Sequence, residues 1–93
     1  MAAVVSKFSE LARQMERVAA QQDMLIEEIL QIGSRMDAIL NDPSLDQATK
    51  ERRAKPLQRK GIKLSKRLEK LAEVYGELAE QAYIERTKND GNL

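Results

Sequence analysis

Apolar residues recur through the first half of the chain at alternating steps of four and three: Val4, Phe8, Leu11, Met15, Val18, Gln22, Leu25, Ile29, Ile32, Met36 and Ile39. Ten of these eleven positions are apolar, with Gln22 the exception. A sustained seven-residue repeat of this kind predicts a coiled-coil seam, with the apolar residues at heptad positions a and d. Forty helical residues span about 60 Å, too long for a helix buried inside a small globule. A second row follows the same steps: Leu57, Gly61, Leu64, Leu68, Leu71, Tyr75, Leu78 and Ala82. Neither segment shows strand-like alternation.

Asn41-Asp42-Pro43-Ser44 is the turn cluster between the two rows. Asp42 or Ser44 is placed to cap a following helix, and Ser44 and Gln47 have capping-box spacing. The pattern therefore predicts one all-α domain over residues 1–88. It is an antiparallel two-helix coiled-coil hairpin, with helix one over about 2–41, a turn at 41–44 and helix two over about 44–88. Pro56 predicts a bend or break in helix two, because an interior proline loses a backbone hydrogen bond and clashes with the preceding turn. Residues 89–93 read as a flexible tail.

Folding back at Pro43 predicts the layers Ile29–Leu57, Leu25–Gly61, Gln22–Leu64, Val18–Leu68, Met15–Leu71, Leu11–Tyr75, Phe8–Leu78 and Val4–Ala82, each an a residue opposite a d residue. The same register suggests an exposed Glu28–Lys60 ion pair and a like-charge contact between Arg35 and Arg53. The e positions are mostly small, Ala12, Ala19, Ala72 and Ala79 among them. Gln22 reads either as a selector of register or as a seam-edge residue reaching water. Gly61 reads either as a site of close helix approach or as a tolerated glycine.

The most apolar stretch lies at residues 24–40. Met24, Ile26, Leu30, Ile32, Met36, Ile39 and Leu40 make an apolar stripe wider than one partner helix covers. The returning segment offers only Ala48 and Ala54. The stripe is accordingly expected to bury against a second copy, giving a dimeric four-helix bundle or higher homo-oligomer, or against a partner protein's helices. The local alternative folds residues 44–55 over it as a separate short helix.

Composition narrows the function. In 93 residues there is no cysteine and no histidine. This removes disulfides, thiolate chemistry, the commonest general base and the commonest transition-metal ligand. A hairpin also has no cleft for catalysis, so no enzymatic activity, cofactor or metal is expected. A chain of 10.6 kDa buries too little surface to be comfortably stable alone. No apolar run reaches a membrane span, and the first ten residues turn polar too early for a signal peptide, so an intracellular, cytoplasmic protein is expected.

Charge cancels to +1 overall, although charged residues make up 33% of the chain. The distribution is uneven. Arg52, Arg53, Arg59, Lys60, Lys63, Lys66, Arg67 and Lys70 gather in one run, the last six at c, f and g, away from the seam. Such a ridge can track phosphates, though it lacks the interleaved aromatics that stack on single-stranded bases. It can equally be a solvated outer face, balanced by Glu73, Glu77, Glu80 and Glu85. The architecture resembles that of Rop-type RNA-binding hairpin dimers, without a motif tying the sequence to that family. The sequence thus predicts a non-enzymatic interaction module: an assembly subunit, adaptor, chaperone or inhibitor acting through residues 24–40. A nucleic-acid-binding accessory protein using the ridge at 50–70 is the alternative.

Overall fold

The computed structural model describes residues 7–91, with side chains for 7–88. Two helices pack against each other as an antiparallel hairpin: α1, Lys7–Leu40, and α2, Gln47–Gly91. The expected Val4 layer and the final two residues lie outside the described residues. Helix α2 continues through Gly91, past the expected end at residue 88. Pro56 sits inside α2 without ending it, so no separate short helix forms over residues 44–55. Pro56 is exposed at a c position on the outer face, where its ring meets no partner helix.

The connection is longer than the expected turn. Asn41 N–H donates to the Asp37 carbonyl at 2.9 Å, and Asp42 N–H donates to the Ile39 carbonyl at 3.3 Å, tightening the last turn of α1. Pro43 then disfavours a helical conformation at Asp42. The Asp42 carboxylate accepts from the Ser44 amide at 2.9 Å and from the Ser44 hydroxyl at 2.6 Å. These bonds, the hydroxyl first, hold the Asp42 carboxyl below its ordinary range. With both groups engaged in the turn, neither Asp42 nor Ser44 caps α2, and the expected Ser44–Gln47 box is not made. Gln47 reaches Glu51 instead, at 3.3 Å. The cap is Asp46, which accepts from the Thr49 amide at 2.8 Å. Hydrogen bonding by Thr49 lowers the Asp46 pKa.

The chain divides into two compact units. One comprises Asp23–Glu69; the other joins the residues before it to those from Lys70 onward. In the unit Asp23–Glu69, Ile32, Leu64 and Ala54 are buried. The decisive contact is at Gly61: a Cβ built there would stand 3.8 Å from Ile32 Cγ2. Gly61 therefore faces Ile32, not Leu25. Counting outward by threes and fours sets Ile29 beside Leu64, Met36 beside Leu57 and Ile39 beside Ala54. In the other unit, Leu11 and Ala82 are buried and Lys7 Nζ lies 3.9 Å from Glu85 Oε1. These positions put Leu11 level with Ala82, Met15 with Leu78 and Gln22 with Leu71.

Both units thus differ from the expected layers by one full heptad. The slip preserves every a-to-d layer, because the repeat is the same seven residues later. It follows from the connection. Residues 41–46 are all non-helical, and α2 starts at Gln47, so its first turns run beyond the end of α1 before the seam begins at Ala54. The expected Glu28–Lys60 pair is not formed, since the shift sets Arg67 opposite Glu28 and Lys60 opposite Arg35. Among the described residues the ion pairs are those of Lys7 and Lys88 with Glu85.

Gly61 is not required by close approach, since 3.8 Å is ordinary van der Waals contact. Gly61→Ala is expected to raise stability by about 1 kcal/mol, through helix propensity and a less flexible unfolded chain. A fall in the thermal midpoint, read by circular dichroism, is the opposite result and would mean that the backbones must close onto that position.

Candidate functional site

Each helix has two flanks beside its seam, and they differ in chemistry. Within the unit Asp23–Glu69, the flank carrying e and b positions presents Ile26, Leu30, Gly33 and Leu40 from α1 and Gln58, Ile62 and Ser65 from α2. The opposite flank presents Glu28 and Arg35 from α1 and Arg53, Lys60 and Arg67 from α2. The first flank holds exposed apolar side chains among the b-position charges Asp23, Asp37, Lys55 and Glu69, whereas the second presents mainly charge.

The e-side flank is hollowed. A groove of about 430 Å³ runs between the helices, with Ile29, Gly33 and Met36 on one wall and Leu57, Gly61 and Ile62 on the other. A Cβ at Gly33 would meet nothing within 4 Å, so this wall is open. Toward the turn a second hollow, of about 570 Å³, is lined by Met36, Leu40, Ala48 and Ala54 together with Glu51, Arg52 and Lys55. In the other unit, a groove of about 430 Å³ opens on the e-position side, between Phe8, Ala12 and Ala19 on α1 and Ala79 and Tyr83 on α2.

The seven residues expected to form one apolar stripe separate into three groups. Ile32 is only 6% exposed and is covered by α2 within the hairpin, so it is corrected from interface to core. Met36 and Ile39 are half-buried by the seam. Leu30, Ile26 and Leu40 remain 67%, 43% and 44% exposed on the grooved flank. Met24 is also exposed, but its c position puts it on the charged flank, outside the groove. Sequence reasoning missed Ile62 and Tyr83, which are 51% and 71% exposed. Both occupy b positions on helix two, and an apolar residue next to the e column was the available signal.

The basic residues Arg52, Arg53, Arg59, Lys60, Lys63, Lys66, Arg67 and Lys70 are all exposed. None lies within ion-pair distance of a carboxylate among the described residues. They stand in columns one heptad apart, Arg52-Arg59-Lys66 at f and Arg53-Lys60-Arg67 at g, with Lys63 and Lys70 at c. Arg52 and Lys66 border the hollows; Lys60, Lys63 and Arg67 do not.

No protein-family model, curated protein or solved structure matches this chain. Among the described residues, no helix is long and apolar enough to cross a membrane.

Proposed function

We propose that this chain is a non-enzymatic, cytoplasmic protein–protein interaction module, and that the partner on its grooved flank is a second copy of itself. The observation that carries the reading is the apolar surface left open along the groove. Ile26, Leu30, Leu40 and Ile62 stay 43%, 67%, 44% and 51% exposed there. A contiguous exposed apolar strip of this kind marks an interaction surface. The interior agrees: among the described residues five side chains are buried, two of them alanines, and no large side chain is fully enclosed.

Charge supports a copy of the same chain as the occupant. Within the unit Asp23–Glu69, the α1 edge of the grooved flank carries Asp23, Glu27 and Asp37, and the α2 edge carries Arg52, Lys55, Arg59 and Lys66 against Glu51 and Glu69, all exposed, leaving the α2 edge basic on balance. A two-fold axis lays the acidic edge of each copy over the basic edge of the other, and does so twice. Gly33 and Ser65 at e leave room for the backbones to approach there, and Leu30 and Ile62 fill the hollow opposite.

Sedimentation equilibrium at micromolar concentration should give twice 10.6 kDa. Ile26→Asp combined with Leu30→Asp places two charges in the interface and should shift the mass to monomer. A wild-type chain that is cooperatively folded at 10.6 kDa overturns the reading.

A further inference from the structure

The charged flank is left free by a dimer built on the groove, and its composition is specific. Within the unit Asp23–Glu69, four exposed cations of α2 stand on this flank, Arg53, Lys60 and Arg67 at g and Lys63 at c, over fourteen residue steps or about 21 Å of helix. Neighbours three and four residues apart lie about 5–6 Å from one another. Like charges at that spacing repel, and no carboxylate within ion-pair distance offsets them. The register adds Arg35 from α1 opposite Lys60. Glu28 is the acidic residue on this flank of α1, and it too makes no ion pair.

We propose that this ridge binds the phosphodiester backbone of a nucleic-acid duplex, without reading base sequence. A duplex supplies the dense, regular row of charge that an array of unpaired cations on a rigid helix matches, and binding releases condensed counterions. Single-strand recognition is disfavoured because the c, f and g columns hold no aromatic side chain on which a base can stack between Arg52 and Arg67. A membrane surface is disfavoured because an interfacial helix must place its apolar face in the lipid. The apolar face of α2 in this unit is already spent on α1, with Leu64 and Ala54 buried there. Arginine and lysine side chains reaching phosphates from one helix face position a duplex but carry no base information.

The test is fluorescence anisotropy of the full chain with labelled 20-base-pair DNA and RNA duplexes, from 50 to 300 mM salt, beside vesicles containing phosphatidylserine. Binding to either duplex is expected, insensitive to sequence, with log K falling linearly against log salt by a slope of about −3 to −5. Preference for one duplex identifies the source of the phosphates and keeps the proposal. Lys60→Gln, Lys63→Gln and Arg67→Gln together should weaken binding at least about tenfold and flatten the slope by about 2.7, the share of three phosphate contacts. These three side chains do not line the hollows, so helicity and sedimentation mass should not change. No salt-dependent binding to either duplex, an unchanged affinity in the triple variant, or tighter binding to the vesicles overturns the proposal.

Discussion

Leu64→Ala is expected to lower the thermal midpoint of the hairpin sharply. Leu64 is 6% exposed and lies in the layer next to the Ile32–Gly61 contact, among very few buried side chains. Truncating a buried leucine costs about 2–5 kcal/mol, from lost transfer energy and from the cavity left behind. Small domains have only about 5–15 kcal/mol in total, and a chain of this length shifts its midpoint by about 4–8 °C per kcal/mol. A fall of roughly 8–40 °C follows, measured by circular dichroism at fixed protein concentration. The control is Ile84→Ala at an exposed c position in the other unit, whose midpoint should move little. If both variants melt alike, the seam is not where the stability resides.

The register gives the second large effect, because it is all or none. The chain has no cysteine, so introduced pairs can be read without background. Ile32→Cys with Gly61→Cys brings two thiols together in the layer where the Gly61 Cβ position lies 3.8 Å from Ile32 Cγ2. Mild oxidation should close an intramolecular disulfide, seen as faster migration on a non-reducing gel and as loss of two free thiols. Leu25→Cys with Gly61→Cys represents the register expected from a tight fold at Pro43. One heptad of helix separates Leu25 from Ile32, about 10.5 Å, and a disulfide tolerates at most about 7 Å between Cα atoms. This second pair should stay reduced or cross-link between molecules. Efficient intramolecular closure of the Leu25 pair instead would reverse the layer assignment, and with it the placement of Arg35 opposite Lys60 on the charged flank.

The two surfaces are separable in the same way. A dimer that dissociates on Ile26→Asp with Leu30→Asp while duplex binding survives places the two activities on opposite flanks. Avidity links them: two ridges on one dimer bind a long duplex more tightly than one ridge does. Monomeric variants are therefore best compared on short duplexes.

The fold class was written in the repeat. Ten apolar residues at steps of three and four cannot line one face of anything but a long helix. The turn at Asn41-Asp42-Pro43-Ser44 then divides the chain, because asparagine, aspartate and proline each favour leaving the helix there. Which residues join the seam was equally legible: Leu11, Ile32, Leu64 and Ala82, all at a or d, are buried. The register was not. A seven-residue repeat is unchanged by a slip of seven, so every a-to-d layer is satisfied equally well by two alignments. The choice fell to the connection, where the Asp42–Ser44 bonds and the Asp46 cap delay α2 to Gln47.

The division of the stripe at 24–40 was also a tertiary decision. Ile32 and Leu30 are indistinguishable as apolar residues two positions apart, yet one is buried by α2 and the other is not. Helical rotation separates them by about 200°, and only the position of the second helix determines which side is covered. The basic ridge was visible as a run of lysine and arginine. That its cations have no carboxylate partner within ion-pair distance is a property of the packed hairpin, because a residue far away in sequence can supply the opposing charge only once the register is set.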